Sequence, residues 1–280
     1  METRMSRVPL IDACDDTAAA VVPPPKFRTG AGTPHLSARI EELAPVSRHA
    51  HRLLKAEDRP PTVIVAILPA HNEERPLPAA LHALMTQTCP PNRIIVASDN
   101  STDDTVSAAR SMGVEVLETV NNTDKKAGAL NQVFEVLLPT LKDEDIILVQ
   151  DADSSLDRHF IEAATYYLKR GYGGVGGVFR GGAGGGFVGH LQRNEYARYA
   201  RDVNRLNGKC LVITGTAAVF RVKVLREISS ARLSGKLPAG NGRGGIYDTT
   251  VLTEDNELTF ALLHLGYKVI SPSQCTLLTE

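Results

Sequence analysis

Asp151 and Asp153 stand one residue apart in the segment IILVQDADSSLD, just after an apolar run at 146–149. Two carboxylates this close repel each other unless something positive lies between them. Hard oxygen ligands of this kind favour magnesium or manganese, ions that also grip diphosphates. The spacing alone is weak evidence, because Asp-x-Asp arises about once by chance in a chain of this length. Asp143 and Asp145 share the spacing, but they sit in the polar run LKDED, where solvated loop residues are the simpler reading. Asp151 and Asp153 differ in position, because they follow a strand-like run.

Other polar groups follow apolar runs in the same way. LPAHNEE exposes His71, Asn72 and Glu73, and SDNSTDD exposes Asp99. Lys126 opens the helix-like stretch KAGALN. A lone lysine is usually a solvated surface group, but one at a helix N-terminus can reach an anion that the helix also attracts. In VLTEDNELT, Glu254 and Asp255 start a helix after a glycine-rich stretch. Helix capping explains acids there. A general base is the functional alternative, since a carboxylate can take the proton of a poorly nucleophilic sugar hydroxyl. Acceptors for a base and ribose, a cation for phosphate and carboxylates for a metal together match a nucleoside diphosphate.

The elements that must place these groups follow a regular pattern from Thr62. TVIVAIL reads as a strand ending at Pro69, RPLPAALHALMTQ as a helix and RIIVAS as the next strand. STDDTVSAARSMG reads as a helix capped by Ser101 or Thr102 and stopped by Gly113. VEVLET, KAGALNQVFEVLL and DIILVQ follow as strand, helix and strand. Alternation of this kind predicts an α/β fold with a central, mainly parallel sheet covered by helices on both faces. Ligands of such sheets bind beyond the carboxyl ends of the strands, where Asp151 and Asp153 lie. Further on, RHFIEAATYYLKRG reads as a helix, GGVGGVF as one glycine-thinned strand and FVGHLQRNEYARYARDVNRLNG as a long helix. LVITGTAAVFR reads as a strand broken by Gly215, LSGKLPAGNGRGG as a loop and TEDNELTFALLHLGY as a helix stopped by Gly266.

Composition narrows the field. At 280 residues and 30.2 kDa the chain can bury a large core. A net charge of −1 supplies no positive field for nucleic acid, so no nucleic-acid partner is expected. Cys14, Cys89, Cys210 and Cys275 are widely spaced, which fits a reducing compartment better than a zinc site. No apolar run is long enough to span a bilayer, and the N-terminal acids Asp12, Asp15 and Asp16 do not suit a signal peptide. The expectation is a cytoplasmic protein, with peripheral association at the inner face of the membrane left open. Residues 1–60 read as a flexible arm with short helices, and 61–280 as the main domain. Within that domain 61–153 form a nucleotide-binding half and 154–280 an acceptor-side half.

The ordered set LPAHNEE, SDNSTDDT, KAGALN, VQDADS, GTAAVFR and TEDNELT resembles family 2 glycosyltransferases of the GT-A, Rossmann-like fold. The likeness runs from about Thr62 to Glu280 and is greatest to the cellulose, chitin, hyaluronan and poly-N-acetylglucosamine synthase branch, which makes polysaccharides. The resemblance implies that Pro69, Ala70, His71 and Glu73 cradle the nucleobase and ribose, with His71 where the family often has Tyr. It implies that Asp99 reads the base, typically uracil, and that Lys126 lies near the nucleotide. Asp151, Ala152 and Asp153 match the DxD motif, with Asp151 and Ala152 on the donor and the two acids, chiefly Asp153, as ligands for Mn2+ or Mg2+. Gly215 and Thr216 match the turn on the acceptor side, and Asp255, with Glu254 beside it, matches the catalytic base.

The implied activity is an inverting, metal-dependent transfer of a sugar from a nucleotide-sugar donor, read as a UDP-sugar, to a hydroxyl of a glycan, lipid or small-molecule acceptor. One departure stands out. The branch carries a Q-x-x-R-W motif after the TED helix, and this sequence has no Trp. The chain ends at TLLTE, where the branch continues, so it reads as shortened or as a compact relative. Two alternatives remain at this point: a sugar-nucleotide pyrophosphorylase, whose glycine- and arginine-rich phosphate loop PAHNEE does not match, and a non-catalytic nucleotide-sugar-binding protein.

Overall fold

A computed structural model describes residues 62–181 and 186–279. The expected N-terminal arm at 1–60 lies outside the described residues. In chain order the elements begin with β1 (Ile64–Ala70), α1 (Leu77–Met85), β2 (Arg93–Ser98), α2 (Thr105–Ser111), β3 (Glu115–Glu118), α3 (Lys125–Leu137) and β4 (Ile146–Gln150). They continue with β5 (Ser154–Leu156), α4 (Phe160–Lys169), β6 (Tyr172–Gly176), β7 (Val178–Gly181) and α5 (Gly186–Arg205). The last are β8 (Ala217–Arg221), α6 (Val222–Leu233), α7 (Glu254–His264), β9 (Lys268–Ile270) and β10 (Thr276–Thr279).

Seven strands form one sheet in the order β3-β2-β1-β4-β8-β6-β9. β1, β2, β3 and β4 run parallel, while β8 runs antiparallel to both β4 and β6. The sheet is therefore mainly parallel, as expected. Its central strands are buried on both faces, so they read as continuous Ile, Val, Leu and Ala runs. On one face Val65, Ile67, Ile147 and Val149 pack with residues of α3, α6 and α7. On the other, Ile64, Ala66, Leu68 and Leu148 pack with α1 and α4. β1 runs to Ala70, one residue beyond the expected end at Pro69, so Pro69 lies inside the strand. The last β1–β4 pair is Ile67 with Val149, so the missing proline N–H costs no bond to β4.

Four details correct the sequence reading. The helix α2 starts at Thr105 with Asp104 at its cap position and no side-chain cap. Ser101 and Thr102 are taken by a tertiary partner instead: Asn72 N–H donates to Ser101 Oγ at 3.2 Å, and Thr102 N–H donates to Asn72 Oδ1 at 2.7 Å. The glycine-rich stretch is two strands, β6 in the main sheet and β7 in a second sheet of order β5-β10-β7. The segment 211–216 is not strand, and β8 begins only at Ala217. The helix α6 was not anticipated, because it follows β8 with no breaker between them. Its buried Val222, Val224, Leu225 and Ile228 keep helical spacing.

Gly177 turns the chain from β6 into β7. Its N–H donates to Ala217 O at 2.9 Å, and the next N–H, of Val178, donates to Cys275 O at 2.7 Å. The chain thus steps from one sheet to the other within two residues. A Cβ on Gly177 would lie 2.3 Å from Leu277 Cδ2 and 3.2 Å from Phe160 Cε2. Both neighbours are core residues at 2% and 0% exposure, so neither can move into solvent. Among the described residues no helix is long and apolar enough to cross a membrane. Gly177→Ala is expected to destabilise the fold by about 1–3 kcal/mol through overpacking, measured as a lower urea midpoint with an unchanged slope.

Candidate functional site

Three adjacent parallel strands end at the same edge of the sheet. β1 delivers His71 and Glu73, β2 delivers Asp99, and β4 delivers Asp151 and Asp153. The antiparallel β8 starts where β4 stops, with Ala217 opposite Gln150. Gly215 and Thr216 are therefore brought beside Asp151, and Asp151 N–H donates to Thr216 O at 2.9 Å. The N-terminus of α3 places Lys126 at the same edge, and that of α7 places Glu254 and Asp255 there.

Lys126 joins these groups. Its Nζ donates to Asp151 Oδ1 at 2.5 Å and to Gly215 O at 3.0 Å, and it lies 3.7 Å from Glu254 Oε1. Gly215 turns its other main-chain group to the neighbour of Glu254: its N–H donates to Asp255 Oδ2 at 3.0 Å. A Cβ on Gly215 would lie only 3.0 Å from that oxygen, so any side chain there would crowd the carboxylate. Lys126, Gly215, Glu254 and Asp255 line one recess together with Tyr247.

The first-half residues form the adjoining part of the same edge. His71 Nδ1 lies 2.6 Å from Asp99 O, and Asp99 N–H donates to Ala70 O at 2.8 Å. Asp99 is nearly buried, and its Oδ1 accepts from Thr119 Oγ1 at 2.7 Å and from Asn100 Nδ2 at 3.0 Å. Asn72 takes the left-handed conformation, φ 59°, that turns the chain sharply after β1. Ala152 is buried between the two acids of the DxD pair, and Asp153 Oδ1 accepts from Ser154 Oγ at 3.0 Å.

The electrostatics tie the two parts together. Burial raises the Glu73 carboxyl above its ordinary range, and Asp153, Asp103 and Asp151 push it the same way. Burial also raises Asp151, against the opposing pull of Lys126, with Asp153 and Glu254 adding to the rise. The site thus gathers more negative charge than its lysine neutralises.

Three contributors were not legible as site residues. Tyr247 is buried at the recess, and its hydroxyl is raised by burial and by the nearby Glu254, Asp151 and Asp255. Asn131 holds Tyr247 there by donating to its carbonyl at 2.8 Å and accepting from its N–H at 3.0 Å. Thr119 supports Asp99 from the end of β3. The one available signal was Asn131, a polar residue within the apolar stretch of its helix.

The family described as Glycosyl transferase family 2 matches residues 65–229. A 4,4'-diaponeurosporenoate glycosyltransferase of Staphylococcus aureus (strain USA300) is 41% identical over 63 residues, 22% of this chain and 16% of that protein. The chain thus aligns with only a small part of that relative's length. The mannosyltransferase PcManGT from Pyrobaculum calidifontis, solved in complex with GDP-Man and Mn2+, has a TM-score of 0.55 at 22% identity, over 77% of this chain and 56% of that one. S. aureus TarS 1-349 has a TM-score of 0.53 at 15% identity, over 78% of this chain and 60% of that one. At these identities the two structures speak for the fold, which is GT-A.

Among the described residues Lys126 is the one cation in contact with Asp151, so its removal has a defined pH signature. Ionised Asp151 is already disfavoured, and losing Lys126 raises its carboxyl further. That cost is absent while the carboxyl is protonated and appears as pH rises above the unfolded value, about 3.9. Breaking a fully buried pair costs about 3–5 kcal/mol, and partial exposure reduces this to about 1–2 kcal/mol here. Lys126→Met is therefore expected to lower stability at pH 7 and much less at pH 3.5. Adding Asp151→Asn should recover part of the loss at pH 7, as measured by denaturant titration of the four chains in the cycle.

Proposed function

The chain belongs to glycosyl transferase family 2, and we propose that it moves a sugar from a nucleoside-diphosphate donor to an acceptor hydroxyl with inversion at the anomeric carbon. The observation that carries this reading is the Lys126 cluster, which sets a DxD acid, Asp151, and a helix-borne carboxylate, Asp255, on either side of Gly215. UDP is the proposed nucleotide, from the place of Asp99, and the acceptor is a glycan, lipid or small molecule.

The donor's base and ribose would lie along Pro69, Ala70, His71 and Glu73, with Asp99 at their inner edge. Asp153 and Asp151 would hold a divalent ion. Their chemistry fits one, since both are hard oxygen donors and the repulsion felt at Glu73 marks uncompensated negative charge beside them. Among the described residues no three or more His, Cys, Asp or Glu are gathered into a metal cage. Magnesium is commonly held by one or two carboxylates together with substrate phosphates, so such a cage is not required. When bound, the ion supplies charge neutralisation to the departing diphosphate.

Asp255 takes the proton of the acceptor hydroxyl as its oxygen forms a bond to the anomeric carbon. The bond from that carbon to the diphosphate oxygen breaks on the opposite face, and the electron pair leaves with the diphosphate. A single displacement inverts the centre, so an α-linked donor gives a β-linked product. Gly215 N–H fixes one carboxylate oxygen of Asp255, which orients the base. Lys126 balances the acids around the leaving group.

Two substitutions separate the roles. Asp255→Asn should lower turnover at least about 100-fold while leaving nucleotide affinity nearly unchanged, measured by nucleoside-diphosphate release and by calorimetry. Parental turnover in this variant would remove Asp255 as base. Asp153→Ala should abolish the gain in UDP affinity that manganese confers, and an equal gain in both chains would refute the metal assignment.

A further inference from the structure

Helix α7 carries Glu254 and Asp255 in its first turn, so the orientation of this helix sets the direction of the proposed base. One side of α7 is tied to the segment before β8. Gly215 N–H donates to Asp255 Oδ2 at 3.0 Å, while Thr259 Oγ1 donates to Asp255 O at 2.8 Å and accepts from Ile213 N–H at 3.3 Å. Residues four apart lie about 40° apart around a helix, so Asp255 and Thr259 share a face. Glu257 is two residues from Asp255, about 200° around the axis, and so faces the other way.

On that other side Glu257 Oε2 accepts from Arg232 Nη2 at 2.5 Å. The Arg232 side chain is 0% exposed and that of Glu257 16%. Arg232 Nη1 also donates to Pro238 O at 2.9 Å, and Nη2 to Ile246 O at 3.1 Å. Pro238 lies within the loop between α6 and Tyr247, and Ile246 is its last residue. The next residue, Tyr247, is the one Asn131 holds at the recess.

We propose that Arg232 is a positioning residue for Asp255: its guanidinium pins the far side of α7 and two points of the segment between α6 and α7, Pro238 and Ile246, so that helix and segment meet the recess in one orientation. This rests on Asp255 being the base. A helix held on one side can roll about its axis, whereas one held on opposite sides cannot. Packing alone does not account for the arrangement, because an apolar pair of similar volume is often as stabilising as a buried ion pair. The planar fork of arginine adds direction, since its donors must meet their acceptors at set angles. Among the described residues the hydrogen bonds of the Arg232 side chain are made by the two terminal nitrogens, and Nε is buried without a partner.

The test uses the full chain and the variants Arg232→Met, Arg232→Lys and Glu257→Gln. Glu257→Gln keeps the side-chain shape and serves if Arg232→Met does not fold. Calorimetry with manganese and UDP or GDP, whichever binds the parent chain, counts binding-competent sites and gives their affinity. Release of UDP from UDP-glucose and UDP-N-acetylglucosamine, or of GDP from GDP-mannose, gives kcat per competent site. Arg232→Met is expected to lower kcat per site about 10- to 100-fold, the range that a small misplacement of a catalytic group produces. Nucleotide affinity should stay within about twofold, and Arg232→Lys should recover part of the rate. Unchanged kcat per site in Arg232→Met and Glu257→Gln would overturn the proposal, as would a loss of affinity as large as the loss of rate. If Asp255→Asn is inactive while these variants keep the parental rate, only the positioning role falls. If Asp255→Asn keeps the parental rate, the base assignment fails and the positioning role falls with it.

Discussion

The ammonium of Lys126 is the contact on which the site's geometry depends. It touches Asp151 from β4, the carbonyl of Gly215 before β8 and, at 3.7 Å, Glu254 from α7. Without a cation at this point, acids from two separate elements would face each other across a partly buried space. Yet one charge does not balance Glu73, Asp151, Asp153, Glu254 and Asp255. A diphosphate entering alone would meet net repulsion from these five. The arrangement therefore favours the joint arrival of an anion and a divalent cation, which is the electrostatic ground for the proposed donor and metal.

The sheet explains why such distant residues meet. Parallel strands place their carboxyl ends on one edge, which gathers residues from 71, 99 and 151 without any long loop. The reversal at β8 adds a fourth contribution from the opposite direction. An antiparallel strand begins where its parallel neighbour ends, so the segment before β8 falls beside Asp151. Both main-chain groups of Gly215 are then free to work on the site, because this residue lies outside the ladder.

Much of this was legible in the sequence, and the gaps have physical causes. β1, β2 and β4 are buried on both faces, and their unbroken Ile, Val and Leu runs leave little ambiguity. The polar groups that follow them were therefore placed at the correct edge. The helix α6 was missed because it continues from β8 without a cap or breaker. β5, β7 and β10 were missed because strands of three or four residues are too short to show a period. The roles of Ser101 and Thr102 were misread because local capping competed with a tertiary partner, Asn72. Tyr247 and Asn131 are 116 positions apart in the chain, and no local pattern announces a pair at that separation.

Gly215 shows how backbone and side-chain chemistry combine at the centre. Its φ is not in the left-handed region, so conformational freedom is not what the position uses. What matters is distance, since a Cβ would press on Asp255 at 3.0 Å. One residue thus accepts from the cation and donates to the carboxylate, which fixes their separation through covalent geometry rather than through flexible side chains. A carboxylate held in this way has a set direction relative to Lys126. The N-terminus of α3, which carries Lys126, and that of α7, which carries Asp255, are thus joined through a single residue before β8.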